Sequence, residues 1–122
     1  MSLSVTASAN AARQVREALA RGSDILYRRL GRDGLLLLTE LVNNAVLHGS
    51  RSLSDLVSVE IWESSRSVRV EVRDDGGAGF TWRHPPDSPD RVSGFGLVLV
   101  DAVADRWGID ASTGRTCVWF EL

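Results

Sequence analysis

The chain has 122 residues, of which 43% are hydrophobic and 25% charged, a balance that is typical of one globular domain and excludes a disordered or fibrous chain. Its 14 cationic residues are all Arg and face 16 acids, so the net charge of −2 provides no basic field for sequence-independent nucleic-acid binding. Because Lys is absent, phosphate binding by a Walker-type lysine and Schiff-base chemistry are both excluded.

Cysteine content and apolar runs bear on where the protein acts. The single Cys117 cannot form a disulfide within the chain. The sequence has neither an apolar run long enough to span a bilayer nor a charged-then-apolar signal segment at its start. We therefore expect a cytoplasmic protein with no membrane segment.

Two helices are predicted in the first half of the chain. Apolar residues recur at helical spacing over residues 9–21, and a second helix is expected over 33–48, with Asp33 as its N-cap. The second helix is apolar on most of its circumference, so it should be largely buried. Glu40 and Asn44 are the polar exceptions on that helix.

Alternating apolar and polar residues predict a β-hairpin over 56–62 and 67–73, with one face in the core. The stretch 74–93 is rich in glycine and proline and shows no periodicity. It therefore reads as a long loop, and loops of this length in a compact domain are usually functional.

The last part of the chain predicts a third helix over 94–106 and two strands, 107–110 and 116–122. Trp107 and Trp119 fall in these strands and are expected in the core.

The order of elements predicts the fold class. Consecutive strands joined by short turns favour antiparallel pairing, and helices on one face of such a sheet make an α+β fold, a two-layer α/β sandwich. Residues 1–122 are expected to form a single domain.

Three separated segments carry candidate chemistry: 40–48, 75–80 and 94–97. In the first, Glu40 and Asn44 lie one helical turn apart and can point at one site. The second follows directly on a predicted strand, and the third opens a helix, where backbone N–H groups favour an anion. Each segment alone also fits ordinary structure: a solvated helix edge, a glycine-rich turn and a loop-to-helix junction.

Together, in this order, the three segments resemble the N, G1 and G2 boxes of the GHKL superfamily, which shares the Bergerat ATP-binding fold. The pattern ELVxNAxxH over 40–48 and the segment 97–108 are similar to its anti-sigma-factor serine/threonine kinase branch, and most of all to small stand-alone regulators of the actinomycete type. The resemblance covers nearly the whole chain.

The resemblance implies roles for residues of the first two boxes. Asn44 would coordinate Mg²⁺ through its amide oxygen, as suits a hard ion that also binds phosphate and water. Glu40 would act as the general base. Asp75 would accept a hydrogen bond from the adenine amino group, and Gly77 and Gly79 would let the backbone pass close to the base.

The resemblance also implies a phosphate site that needs no lysine. Backbone amides at Gly94, Gly96 and Leu97 would meet the phosphates of ATP. Thr116 would help to hold the adenine-binding aspartate and its water. Residues 77–93 would form a short ATP lid, whose closure excludes water.

The function implied is an ATP–Mg²⁺-binding anti-sigma factor that phosphorylates a serine of a STAS-type anti-anti-sigma partner and so regulates a sigma factor. No direct contact with nucleic acid or membrane is expected. Relatives in this branch are often dimers, but the pattern of apolar residues leaves the oligomeric state open, with a homodimer as one alternative.

Two departures from the family pattern leave a second function open. The lid contains Pro85, Pro86 and Pro89, which stiffen it, and no second acid lies near Glu40 to assist phosphoryl transfer. The alternative is a catalytically weak or inactive nucleotide-binding interaction module that controls partner binding. A third alternative, a structural domain whose motifs arose by chance, predicts no nucleotide affinity.

Overall fold

The computed structural model of the protein describes residues 1–49, 52, 54–74, 95–110 and 115–122; of residues 48, 49 and 95–97 it describes the backbone alone. The elements in chain order are β1 (Ser2–Thr6), α1 (Ala11–Gly22), α2 (Asp24–Asn44), a π-helical segment (Ala45–Gly49), β2 (Leu56–Glu63), β3 (Val68–Asp74), α3 (Phe95–Val103), β4 (Arg106–Asp110) and β5 (Thr116–Glu121). Within these residues, no helix has the length and hydropathy needed to cross a membrane.

The described strands form one antiparallel sheet in the order β1-β2-β3-β5-β4. Strand β3 lies at its centre. The helices cover one face of the sheet, which confirms the predicted α+β two-layer sandwich.

The core lies between the inner face of the sheet and the helices. Alternate residues of β2, β3 and β5 point toward it, as the period of two in a strand requires. The fully buried side chains of the core include Val57, Val59, Ile61, Val70, Phe120, Leu37, Leu38 and Val42.

Helix α2 begins nine residues before the predicted start at Asp33. The side chain of Ser23 caps it by accepting a hydrogen bond from the Leu26 N–H (3.2 Å). At Gly31 the backbone turns to φ +60°, a conformation that favours glycine, and the helix is kinked there. The sequence pattern identified only the part beyond this kink.

Strand β1 was not predicted. Its five residues hold only two aliphatic side chains, so the local pattern is too short to distinguish a strand from a loop. Pairing with β2, in the register Ser4↔Ser58, makes it a strand. This partner is 54 positions away in the chain, where local periodicity carries no information.

The other predicted elements are confirmed with shifted ends. The third helix is α3, shorter than the predicted 94–106, and the loop 74–93 lies outside the described residues from position 75 onward. Trp107 packs partly buried against the core as expected, but Trp119 lies on the outer face of the sheet, so its prediction as a core residue was wrong.

The outer face carries a network of ion pairs. Arg69 bonds Glu71 and Glu121, each at 2.9 Å, and also stacks over the Trp119 ring at 4.0 Å. Arg73 bonds Glu71 and, at 3.0 Å, Glu60 on the neighbouring strand. These pairs tie β2, β3 and β5 together without an apolar layer.

Glu121 joins β4 to this network through Arg106. Hydrogen bonds from Arg69 and Arg106 hold the pKa of Glu121 below its ordinary value, against the opposing effect of burial. Glu121 therefore stabilises the fold above its usual pKa, and this contribution disappears as pH falls through the lowered value.

We predict that Glu121→Gln lowers the free energy of unfolding at pH 7 by roughly 1–3 kcal/mol, because it replaces charge-assisted hydrogen bonds with neutral ones. The deficit relative to the native chain should shrink as pH is lowered below the usual range of a glutamate. Urea unfolding at a series of pH values measures it. Glu17→Gln, which alters an exposed pair with Arg21 on α1, is the matched control and should change little. A deficit equal at neutral and acid pH would contradict a lowered pKa.

Candidate functional site

Two buried polar residues face each other at one end of the sheet. Asp74 ends β3 and Thr116 begins β5, and the two are register partners. Asp74 is 3% exposed and Thr116 4%. The alternation that points Val70 and Val72 into the core also points Asp74 toward the helix layer. A carboxyl group buried to this degree is uncommon in a small domain and indicates a specific role.

The polar side chains of α2 lie on a half-buried face of that helix. Glu40 and Asn44 are one turn apart, and both are partly exposed. Between them in sequence, Leu41 and Val42 are buried in the core. The core contact therefore sets the rotation of the helix and leaves Glu40 and Asn44 accessible.

Directly after Asn44 the helix changes its hydrogen-bonding pattern. The N–H of Ala45 donates to the carbonyls of both Leu41 and Val42, and residues Ala45–Gly49 continue as a π-helix that contacts β3. Short π-helical segments occur frequently at functional sites. This segment brings the end of α2 to the strand that ends in Asp74.

The chain leaves helix α3 at the end of the sheet that lies away from Asp74 and Thr116. Just beyond its last turn, the N–H of Asp105 donates to the carbonyl of Glu121 at 2.9 Å. Glu121 ends β5, whereas Thr116, the partner of Asp74, begins it, so the last turn of α3 lies near the opposite end of the strands from Asp74. The helix has nine residues, a rise of about 13 Å, and it packs beside α2. The backbone N–H groups of a first helical turn have no partners within the helix.

The structure describes part of the predicted site. Glu40, Asn44 and Thr116 are described in full, and Gly96 and Leu97 lie in the first turn of α3, where only the backbone is described. Predictions for Asp75, Gly77, Gly79, Gly94 and the lid 77–93 lie outside the described residues. The described residues place Thr116 beside Asp74 and bring the π-helical segment that follows α2 against β3.

Asp74 is a further candidate that the glycine spacing after Asp75 does not indicate. The pattern that indicates it lies earlier in the strand. Val68, Val70 and Val72 alternate along β3, and Asp74 continues that series on the core-facing side. Strand alternation alone could have identified it.

A shallow cavity of about 490 Å³ lies on the outer face of the sheet. Its lining consists of Arg69, Glu71, Arg73, Asp110, Arg115, Thr116, Cys117 and Trp119. Burial raises the pKa of Cys117, and the thiol donates to a Glu71 carboxylate oxygen at 3.7 Å. Because Glu71 is already paired with two arginines and the thiol stays protonated at neutral pH, this cavity offers no activated nucleophile. The candidate site is on the other face.

The donor set at the end of α2 suits a magnesium ion that arrives with a nucleotide. Asn44 offers one neutral oxygen from a half-buried, ordered helical position. Magnesium in proteins commonly keeps several waters and phosphate oxygens as ligands, so one protein oxygen is compatible with it.

Comparisons with known proteins identify the family to which the chain belongs. The family model described as "Histidine kinase-like ATPase domain" matches residues 2–122. Among solved structures, the chain is similar to the crystal structure of the RsbU and RsbW domains of Rv1364c from Mycobacterium tuberculosis, with 26% sequence identity and a TM-score of 0.61. That match covers 99% of this chain and 32% of the other, so this chain spans about a third of its length. The comparison with curated proteins gives no match.

The two-layer fold and the match over nearly the whole chain define an ATPase-type domain. The chain belongs to the histidine kinase-like ATPase family. This confirms the resemblance to the GHKL superfamily and its anti-sigma kinase branch that the sequence motifs predicted.

Proposed function

We propose that the protein binds ATP with Mg²⁺ between α2, α3 and the end of β3, and transfers the γ-phosphoryl group to a serine of a STAS-type anti-anti-sigma partner. The observation that carries the proposal is the buried pair Asp74 and Thr116, which faces the helix layer beside the end of α2. The match to an ATPase family supports the binding of ATP.

Adenine recognition is assigned to Asp74 on geometric grounds. Asp74 is buried at the end of β3 and is the register partner of the buried Thr116, which supports it as the fixed acceptor. A fixed carboxylate in a buried position accepts a hydrogen bond from the adenine amino group and rejects a base that lacks it. Asp75, predicted from the glycine spacing, is the competing assignment.

The phosphates are assigned to the first turn of α3. Its backbone N–H groups have no partners within the helix, and the positive end of the helix dipole favours an anion. Gly94, Gly96 and Leu97 would present these groups, which agrees with a chain that has no lysine. Asn44 would hold Mg²⁺, which neutralises the phosphate charge when bound.

Glu40 is proposed as the general base of the transfer. Its carboxylate would take the proton of the serine hydroxyl while the serine oxygen bonds to the γ-phosphorus. The bond from the γ-phosphorus to the bridging oxygen breaks, and ADP leaves with that oxygen. The half-exposed position of Glu40 on α2 leaves it accessible to a hydroxyl on another protein.

Phosphorylation would act as a regulatory switch in the cytoplasm. It adds about two negative charges to the partner, and repulsion from the site would separate the complex. The released kinase would then be free to hold a sigma factor. No step requires direct contact with nucleic acid.

The first prediction from the proposed function concerns recognition of the adenine base. Asp74→Asn should weaken ATP binding roughly tenfold to hundredfold, because it removes a charged acceptor for the amino group. It should weaken binding of inosine triphosphate less, because inosine lacks that amino group. Calorimetric titration with Mg²⁺ measures both nucleotides.

Asp75→Asn is the matched control at the neighbouring carboxylate and should bind ATP like the native chain. The opposite result, a loss of ATP affinity in Asp75→Asn alone, would assign adenine recognition to Asp75. Absence of nucleotide binding by the native protein would overturn the proposed function altogether.

The second prediction separates binding from transfer. Glu40→Gln should keep the native affinity for ATP but reduce transfer at least about a hundredfold, because it removes the base. Asn44→Ala should weaken ATP binding in Mg²⁺ more than in EDTA. The readouts are calorimetry and transfer of γ-labelled phosphate to a purified STAS-domain protein, with its serine-to-alanine variant as a blank.

Glu17→Gln, on the exposed side of α1, is the control variant and should leave binding and transfer unchanged. If the native protein binds ATP but transfers no phosphate to any acceptor tested, the alternative function holds: a nucleotide-binding interaction module without kinase activity.

A further inference from the structure

Two exposed leucines lie on the same side of the helix as Glu40. Leu36 of α2 is 44% exposed, and Leu47 of the π-helical segment is 68% exposed. Positions 36, 40, 43 and 47 are separated by four, three and four residues, the spacing of a single helical face. Leu36, Glu40, Asn43 and Leu47 form this face, which is termed the Glu40 stripe.

The Glu40 stripe points away from the core. On the other side of α2, Leu37, Leu38 and Leu41 are at most 2% exposed. A helix turns about 100° per residue, so the stripe is centred roughly opposite these buried residues. Polar residues normally occupy this side of an amphipathic helix, and the two leucines depart from that pattern.

The two leucines add little to the packing of the domain. Their sequence neighbours Leu35 and Val46 pack against the core, whereas Leu36 and Leu47 do not. A single exposed leucine is ordinary on a protein surface. Two on one stripe, with the proposed general base between them, favour a docking surface.

The spacing along the helix limits what can contact both leucines at once. Leu36 lies one turn before Glu40, about 6 Å along the axis, and Leu47 lies about 10 Å after it. A ligand that touches both therefore spans roughly 16 Å, the length of about five extended residues. A polypeptide segment meets this requirement, and a water molecule or a free amino acid is too small.

Given the proposed function, on which this assignment rests, we propose that the Glu40 stripe is the docking surface for the phosphoryl acceptor. Leu36 and Leu47 would contact apolar side chains on either side of the acceptor serine, and its hydroxyl would then lie at Glu40. The occupant is thus a polypeptide whose serine is flanked by apolar groups. Glu40 is the only charged residue of the stripe, so most of the contact is apolar.

The two leucines would select the acceptor, while Glu40 would carry the chemistry. Leu36 and Leu47 hold no charge and no transferable proton, so they act by bringing the serine hydroxyl into reach of the base. In the product, the phosphate would lie beside the Glu40 carboxylate, and like-charge repulsion would oppose the apolar attraction. The same surface would therefore attract the unmodified acceptor and release the phosphorylated one.

Truncation of the two leucines tests the docking surface. Leu36→Ala and Leu47→Ala should each raise KM for the acceptor roughly fivefold to twentyfold, because each removes apolar surface that docking buries. The kcat value and the affinity for ATP should stay within about twofold of native. Leu36→Met and Leu47→Met, which keep an apolar side chain of similar size, should stay close to native KM.

Two readouts measure these effects on a purified STAS-domain protein. Initial rates of γ-phosphate transfer give KM and kcat. Calorimetric titration with the serine-to-alanine variant of the same protein gives the docking affinity without transfer. Urea unfolding of each variant checks that the fold is intact.

Two exposed apolar residues outside the stripe provide matched controls. Ile25 is 65% exposed and lies on α2 beyond the Gly31 kink, and Leu56 is 43% exposed at the start of β2. Ile25→Ala and Leu56→Ala should leave KM for the acceptor at the native value. Raising the salt concentration from about 0.05 to 0.5 M should change docking affinity little, because salt does not screen an apolar contact.

Failure of the docking surface and failure of the proposed function give different results. If the native chain phosphorylates the acceptor and the alanine variants at positions 36 and 47 match the two controls, the docking surface is overturned and the kinase stands. The docking surface is also overturned if all four alanine variants raise KM equally, or if docking weakens steeply with salt while the variants behave normally.

A native chain that neither binds nor phosphorylates the acceptor overturns the proposed function and the docking surface together. If the native chain binds the acceptor without transfer, calorimetric affinity replaces KM as the readout. Weaker binding by the alanine variants at positions 36 and 47 alone then supports the docking surface, and native binding by both overturns it.

Discussion

Packing of α2 against the inner face of the sheet is the contact from which the rest of the structure follows. Leu37, Leu38 and Val42 are fully buried on this side of the helix. Their burial fixes the rotation of α2, because turning the helix would expose these apolar side chains to water at a cost of about 2 kcal/mol for each residue. With the rotation fixed, Glu40 and Asn44 lie at the accessible margin of the helix, and the π-helical segment that follows carries the helix end to β3.

Strand β3 serves both layers of the molecule through the alternation of its side chains. Its inward side chains belong to the core, and the last of them is the buried carboxylate of Asp74. Its outward side chains form ion pairs with residues of β2 and β5. Because Arg69 and Arg73 cover Glu71, the outer face needs no second helix layer.

The site illustrates how a lysine-free chain can handle a triphosphate. Charge neutralisation would come from a metal ion and from backbone N–H groups at a helix start, both of which depend on position more than on side-chain type. The placement of backbone N–H groups therefore matters more for phosphate binding here than in a site built on lysine. The corresponding sequence segments, 75–80 and 94–97, are rich in glycine. Glycine spacing in the sequence points to Asp75, whereas burial and register in the structure point to Asp74.

The sequence by itself determined the elements with a long internal pattern: the buried helix with Glu40 and Asn44, the hairpin of β2 and β3, and the antiparallel α+β class. In these elements the apolar period is set locally, by residues a few positions apart. Tertiary structure decided what depends on distant partners. β1 is a strand because it pairs with β2. Trp119 lies on the outer face, where its ring stacks against Arg69 and packs over Gly108, which has no side chain to block it. Asp74 lies beside Thr116 because β3 pairs with β5. The reason is physical: pairing and burial are properties of contacts between segments, and a short segment holds too few residues to encode them alone.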